Sequence, residues 1–464
     1  MTTPKRSNAL VWFRRDLRVA DNGALHDAIE HVRSSGGTLC ALFVLDPRLV
    51  GPSGPNRLAF LYQCLRSLRA DGVPITVRTG EPARVVAAAA DEVGGSVVFA
   101  TADFAPYGRR RDRDVQAALQ ARGCEMRFVD SPYVVAPGEV RKADGTAFKV
   151  FTPFSRAWRD RAIGVVPRPA IDLTGVCWAD IAATTVPNDP PDTAVDLLRA
   201  GEGHAHLRLA RFIADHLRTY DSMRNDPAVN ATSRLSADLK FGVLHPRQIL
   251  PLLDGHGSGA DVFRSELCWR EFYADVVWHS PSSARSALNT SMEHMRVDEG
   301  PVADARFVAW CEGRTGFPFI DAGMRQLQRE GWMHNRVRMA AASFLVKDLH
   351  LDWRRGARWF MHHLVDGDIA SNQHGWQWTA GTGTDAAPYF RVFNPVLQGK
   401  KFDPDGTYVR RYVHELADVA PRIVHEPWLG ADATLFADRA YPPPVVDHAT
   451  ERDEALRRYQ EIRR

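Results

Sequence analysis

Short apolar runs alternate with helical patterns at the start of the chain. ALVWF, LCALFVL, ITVRTG, SVVFATA and EMRFVD are rich in β-branched and aromatic residues and read as strands. RLAFLYQCLRSLRADG and EPARVVAAAADEVG, lying between them, repeat apolar residues at helical spacing. This alternation predicts a Rossmann-like, doubly wound parallel sheet wrapped by helices, an α/β domain over residues 1–131. From Ser131 to Gly201 the pattern gives way to Pro-bearing sequence, VVPRPAIDLTG and TVPNDPPDT, which predicts an interdomain connection over 132–201. HLRLARFIADHL, DVFRSELCWREFYADVVW and MRQLQREGWMHNRVRMAAASFL then carry helical periodicity, so 202–464 is expected to be all-α.

A chain of 464 residues with 45% hydrophobic composition suits two domains or one large domain with a substantial core. No segment reaches the roughly 18 consecutive apolar residues of a membrane span, and the polar start MTTPKRSN lacks a secretory apolar region, so a cytoplasmic protein without membrane association is expected. Cys40, Cys64, Cys124, Cys177, Cys268 and Cys311 are scattered without CxxC spacing, which argues against a zinc site or a disulfide framework. No metal is expected. The α/β half lacks GxGxxG and the P-loop pattern, so a standard dinucleotide or NTP site is not expected there. A net charge of +3 is too mild to indicate a nucleic-acid partner, and any phosphate-binding surface must be a local patch.

Candidate chemistry concentrates between Gly331 and Gln398. Tryptophans, carboxylates, asparagines and arginines gather there more densely than helical patterning requires, which points to a buried redox cofactor. Nine of the twelve tryptophans lie after residue 260, although core packing accounts for any one of them taken alone. Trp332, Asn335 and Met339 are spaced to share one helix face, either as a core stripe or as a pocket wall. Asp366 and Asp368 flank Gly367 just before an apolar, Trp-rich stretch, where a lone buried charge would be costly; otherwise they form a solvated turn. Thr232, Ser233, Arg234, Leu235 and Ser236 offer hydroxyls and backbone N–H groups near a helix start, an arrangement that holds phosphate oxygens. Glu266, Trp269 and Arg270 sit on one helical stretch, readable as a surface Glu-Arg pair beside a core tryptophan.

These residues carry a family resemblance. VWFRRDLRVADN, KVFTPFSRAW, TSRLS, ELCWREFY and VLQGKKFD resemble the DNA photolyase/cryptochrome flavoproteins, nearest to the bacterial cyclobutane pyrimidine dimer photolyases, over nearly the whole chain. The resemblance implies an N-terminal antenna domain, a helical domain that holds FAD in a bent shape, and light-driven splitting of pyrimidine dimers in damaged DNA. It assigns Tyr220 and the Thr232–Ser236 stretch to the FAD diphosphate, and it pairs Arg338 with an Asp366-Gly367-Asp368 carboxylate beside the flavin. Asn372 is placed at the flavin's reactive ring nitrogen. A neutral amide there tolerates the reduced anion where a carboxylate would repel it, so reduced anionic FAD is the expected working form. Lesion and DNA contacts are implied for Arg224, Glu266, Trp269, Arg270, Tyr273, Asn335, Arg336, Met339, Trp378 and Arg391, with the dimer flipped out of the duplex. Glu266, Asn335, Met339 and Asn372 are the implied catalytic set. Lys400 and Lys401 would grip flanking phosphates or remain solvated charges.

Two features depart from the family pattern. Electron transfer to resting flavin matches the proximal tryptophan at Trp376 and the middle one at Trp353, but Gly300 occupies the outer position, where Trp359 or another aromatic would have to substitute. Folate-binding relatives carry Asn-Glu where this chain has Tyr107-Gly108, so a deazaflavin antenna is expected over methenyltetrahydrofolate, in a pocket lined by Asp46, Arg57 and Asp103. A cryptochrome-like sensor is the alternative function, although the chain ends soon after VLQGKKFD. A pyrimidine-pyrimidone photolyase would be expected to carry histidine at Asn335, and a non-catalytic DNA-binding flavoprotein is a third reading. A monomer is expected.

Overall fold

The computed structural model describes residues 7–462, apart from 183, 387, 389–390 and 430–440. All the predicted strands form: β1 (Asn8–Phe13), β2 (Leu39–Leu45), β3 (Thr76–Thr79), β4 (Gly95–Ala100) and β5 (Glu125–Phe128). They make one parallel sheet in the order β3-β2-β1-β4-β5. Every residue of β2 is buried, as a strand covered on both faces requires, and this explains its unbroken apolar run. Helices α1 (Gly23–Ser35), α2 (Pro55–Ala70), α3 (Pro82–Val93) and α4 (Pro106–Gln120) make the crossovers. Strand order reverses about β1 and β4, where α/β sheets open a ligand crevice beyond the strand ends. Here that place holds charged side chains: Arg14 pairs with Asp112 at 2.5 Å, Thr101 donates to Asp16 at 2.7 Å and Arg111 pairs with Asp103 at 3.1 Å.

Packing divides the chain into two units. The first comprises Met1–Thr193, Leu198–Arg218 and Ser233–Pro281, and the second Ala194–Leu197, Thr219–Thr232 and Ser282–Arg464. This division differs from the expected limits at 131 and 201, for a physical reason within the first unit. The Pro-bearing connection contains α5 (Phe151–Ala162); after it come α6 (Glu202–Asp215), the short α7 (Ser236–Phe241) and the long α8 (Ser258–His279). Carboxylates on α8 tie the connection down. Glu271 accepts from Trp158 Nε1 at 2.6 Å and from the Val134 and Val135 N–H groups at 2.7 and 3.1 Å, while Asp275 accepts from Gly138 N at 2.6 Å. Burial pushes the Glu271 carboxyl up, and these donors oppose that shift.

The second unit is helical, with α9 (Pro301–Glu312), α10 (Pro318–Glu330), α11 (Asn335–Lys347), α12 (Trp353–His363) and α13 (Ile369–Ala380) around a core that includes Trp310, Phe344, Phe360 and Trp376. The single helical run expected over Met324–Leu345 is two helices. Gly331, at φ 62°, closes α10 in the left-handed conformation, and the His334 side chain caps α11 by accepting from Arg336 N. Trp332 therefore precedes the helix and does not share its face with Asn335 and Met339. Among the described residues no helix is long and apolar enough to cross a membrane.

Candidate functional site

The site in the second unit is built around the start of α11. Arg338 donates through Nε to the Met333 carbonyl at 2.7 Å and through Nη2 to Asp366 Oδ2 at 2.8 Å. The Asp366 side chain is only 3% exposed, and its other oxygen, Oδ1, has no donor among the described residues. A buried carboxylate oxygen without a donor is the acceptor that an N–H-bearing ring edge would satisfy, so these residues fit a flavin. Asp368 does different work: as the N-cap of α13 it accepts from Ala370 N at 3.1 Å and Ser371 N at 3.2 Å. The two acids thus have separate roles, one pairing an arginine and one starting a helix, with buried Gly367 between them.

Asn372 lies one turn into α13. Its Nδ2 donates to the Ala357 carbonyl at 3.1 Å and to Gln373 Oε1 at 2.9 Å, and Gln373 is held in turn by the Ala284 carbonyl at 2.9 Å. Both amide protons are engaged, and among the described residues none donates to Oδ1. The group Asn372 has left to offer is an acceptor. Further along the same helix Trp376 is 2% exposed, with Nε1 unpartnered, whereas Trp378 is half-buried. Helix α12 approaches Trp376 through Gly356, where an added Cβ would lie 2.1 Å from the indole. A glycine inside a helix signals such a close approach.

Asn335 is exposed and Met339 half-buried, and the Asn335 amide lies 3.8 Å from the Met339 sulfur. Arg336 donates to Asn225 at 2.6 Å and lies over the Phe402 ring at 4.6 Å. Tyr220 is buried with Arg224 5.6 Å above its ring; Thr232 is half-buried, and Arg391 is exposed. Lys400 pairs with Glu426, and Lys401 lies 5.2 Å from the Phe402 ring.

Trp353 begins α12 in the second unit, and the other sequence-assigned residues belong to the first unit. Ser233, Arg234 and Leu235 lead into α7, which begins at Ser236; Arg234 takes the left-handed conformation at φ 52°, and Ser233 Oγ accepts from Leu235 N at 3.4 Å. On α8, Glu266 is half-buried and Trp269 stacks on Phe151 at 3.6 Å. Tyr273 packs against the Trp269 ring at 5.4 Å. Arg270 turns inward: its fork donates to the Pro132 and Leu239 carbonyls, both at 3.1 Å, and lies over Tyr133. That geometry is neither the Glu-Arg surface pair that the spacing allowed nor an outward-facing contact, and it gives Arg270 a part in holding the fold. Asp46 caps the short helix Pro47–Val50 and accepts from the Tyr107 hydroxyl, Arg57 lies 3.5 Å from the Pro52 carbonyl, and Asp103 is paired with Arg111. Gly108 lies against this pair: a Cβ there would sit 2.2 Å from the Asp103 carboxylate, which would have to move aside.

Sequence reasoning missed the groups that orient the named ones, namely Asn225, Met333, Ala357 and Gln373. Two of these act through backbone carbonyls and leave no mark in residue identity. Gly356 did leave one, as a glycine in an otherwise helical run.

Two buried histidines frame the site. His334 caps α11, and His374 on α13 lies 3.1 Å from Ser283 Oγ. Burial brings both down to about 4, with the Arg336 and Arg338 charges adding to the effect at His334. An unfolded imidazole titrates near 6.5. As pH falls the unfolded chain takes up these protons first, so stability is full above about pH 6.5 and is lost progressively toward about pH 4, by roughly 1.4 kcal/mol per histidine per pH unit. Denaturant unfolding near pH 5 compared with pH 7 is expected to show a loss on the order of 2 kcal/mol for each histidine. Equal unfolding free energies at the two values would contradict their neutral burial.

Comparison with known proteins agrees with this architecture. The pattern of the DNA photolyase family matches residues 9–172, and that of the FAD binding domain of DNA photolyase matches residues 263–461. The chain is 38% identical to the deoxyribodipyrimidine photo-lyase of Escherichia coli, over 98% of this chain and 99% of that one, and 39% identical to that of Streptomyces griseus, again over 98% and 99%. Among solved structures it resembles a class III photolyase from Agrobacterium tumefaciens, with a TM-score of 0.90 at 34% identity over 99% of this chain and 98% of that one. It also resembles a Synechocystis cryptochrome, with a TM-score of 0.85 at 28% identity over 98% and 99%. Sheet, helical unit and near-complete sequence correspondence lead to one assignment: the chain belongs to the DNA photolyase/cryptochrome family, with the FAD-binding domain of that family in its C-terminal half.

Proposed function

We propose that this protein splits cyclobutane pyrimidine dimers in DNA under blue or near-ultraviolet light, using reduced, anionic FAD. The observation that supports it most is the pairing of a donor-less buried oxygen on Asp366 with the donor-less acceptor of Asn372, in a domain matching the FAD-binding domain of photolyases. Arg338 and Asp366 would hold the isoalloxazine edge. Tyr220 and the Thr232–Ser236 stretch would hold the diphosphate. Asn372 would present Oδ1 to the reactive ring nitrogen, its amide fixed by Ala357 and Gln373. When bound and reduced, the flavin supplies the photoexcited electron that opens the cyclobutane ring and takes that electron back.

The other residues position the lesion. Asn335 and Met339 open α11 with one exposed amide and one soft, polarisable sulfur, suited to a flipped dimer. Glu266 would hydrogen-bond the dimer carbonyls, while Trp269 and Trp378 would stack on its bases. Arg224, Arg336, Tyr273 and Arg391 would contact the strand, with Arg270 supporting them from within. Asparagine rather than histidine at residue 335 favours the cyclobutane lesion over the pyrimidine-pyrimidone one. For the second chromophore the reading favours deazaflavin over folate, since Tyr107-Gly108 stands where folate-binding relatives carry Asn-Glu. The protein would act as a monomer in the cytoplasm.

Likeness to a cryptochrome supports a second reading, a light sensor without repair. Illumination of the reduced protein with an oligonucleotide bearing one thymine dimer separates the two. Dimer loss is expected in light and not in darkness, with the yield lowered about tenfold or more in Glu266→Ala. A lesion that survives blue illumination of reduced, flavin-loaded wild type would leave the sensor.

A further inference from the structure

The helical unit contains a run of touching aromatic rings that starts at Trp376 and does not include the expected middle residue, Trp353. The indole of Trp376 meets Trp310 edge to face at 6.1 Å and Phe360 at 5.0 Å, and Phe360 stacks on Trp310 at 5.8 Å and 15°. Phe307 stacks on the other side of Trp310 at 5.9 Å and 20°, and meets Trp359 edge to face at 6.3 Å. Trp310 is completely buried, Phe307 and Trp359 are half-buried, and Trp359 lies against the His363 ring at 4.2 Å. Trp353 is 5% exposed and makes no aromatic ring contact among the described residues. Gly300, where the outer tryptophan would stand, is exposed at the start of α9 with nothing within 4 Å of its Cβ position.

We propose that electrons for reducing the resting flavin enter at Trp359 and reach Trp376 through Phe307 and Trp310, a route that replaces the interrupted path through Trp353 and Gly300. The inference rests on the flavoprotein reading above. Electron tunnelling weakens steeply with each gap between π systems, so an unbroken series of ring contacts outweighs a buried tryptophan with no onward ring. Phe307 acts as a bridge and not as a stop: its ring is hard to oxidise, and the Arg355 guanidinium 4.3 Å from it raises the energy of any positive charge there. Trp310 Nε1 donates to the Ala341 carbonyl at 3.1 Å, which favours a transient positive charge on that indole. At the far end burial holds His363 down to about 4, so a neutral ring faces Trp359 near pH 7.

Each round moves one electron. Trp376 loses it to the photoexcited flavin, Trp310 refills Trp376, and Trp359 refills Trp310 across Phe307, ending as a radical cation. A small thiol in solution refills Trp359. Two rounds deliver two electrons, convert two thiolates to one disulfide and draw one proton from solvent.

The test uses the full-length, flavin-loaded protein in its oxidised form with dithiothreitol. Flash illumination reports the yield of long-lived tryptophan radical, and steady light reports the rate of flavin reduction, each normalised to bound flavin. Trp359→Phe is expected to lower both by about tenfold, Phe307→Leu by a smaller factor, and Trp353→Phe by less than Trp359→Phe. Repair by protein reduced chemically in the dark should be unchanged in Trp359→Phe, which separates electron supply from catalysis. Wild-type radical yield in Trp359→Phe, or a larger loss in Trp353→Phe, overturns the route. A Trp359 radical formed by a protein that splits no dimers would uphold the route and sink the repair reading instead.

Discussion

Replacing Asp366 with alanine is expected to yield protein that loses its flavin during purification. The carboxylate has two roles that the substitution removes together. It neutralises Arg338, which is three-quarters buried and would be left with the Met333 carbonyl alone, and it provides the oxygen for which the fold supplies no donor. A hydrogen bond to a charged group contributes about 1.5–3 kcal/mol, roughly ten- to a hundredfold in affinity. Breaking one side of a buried ion pair costs about 3–5 kcal/mol of stability in addition. Asp366→Asn keeps an acceptor and the shape while removing the charge, so its flavin content should fall between those of wild type and alanine. Visible flavin absorbance per mole of protein is the measurement, and full retention in Asp366→Ala would mean that the unpartnered oxygen faces something other than the cofactor.

Asn372→Asp should leave flavin bound and repair nearly abolished. The amide uses both its protons on Ala357 and Gln373. An aspartate has no proton to give either acceptor, so it would set like partial charges against each other at about the same 3 Å spacing. It would also bring a second negative charge to the site proposed to hold an anionic reduced ring. At an effective dielectric near 20, like charges a few ångströms apart repel by several kcal/mol, enough to shift the ring's protonation by about two pKa units or more. Repair per absorbed photon at neutral pH is expected to drop by at least an order of magnitude, with partial recovery at lower pH as the new carboxyl protonates. Undiminished repair would remove Asn372 from the reactive position.

The sheet was legible because a parallel strand covered on both faces has to be apolar throughout, as LCALFVL is, and because glycine and proline punctuate each crossover. The break between α10 and α11 was not read, although Gly331 marks it, because the apolar period continues across the gap. The limits of the packing units were hidden for a different reason. They depend on Glu271 and Asp275 reaching back to backbone N–H groups over a hundred residues earlier, and periodicity carries no trace of such partners. Within the site, the residues that name the chemistry stood out by type, while those that aim them did not. Arg270 is the instructive case: its spacing from Glu266 suggested a surface pair, but the distant carbonyls of Pro132 and Leu239 claim the guanidinium.

Because the first unit draws in residues as far along as Pro281, while short pieces of the second come from before that point, neither is a continuous stretch of chain. During synthesis the sheet can assemble early, but the acids that clamp the proline-rich segment emerge from the ribosome only much later. A nascent chain halted near residue 201 would therefore expose an unanchored strap, and protease sensitivity in that strap would persist until the long helix ending at His279 has cleared the exit tunnel.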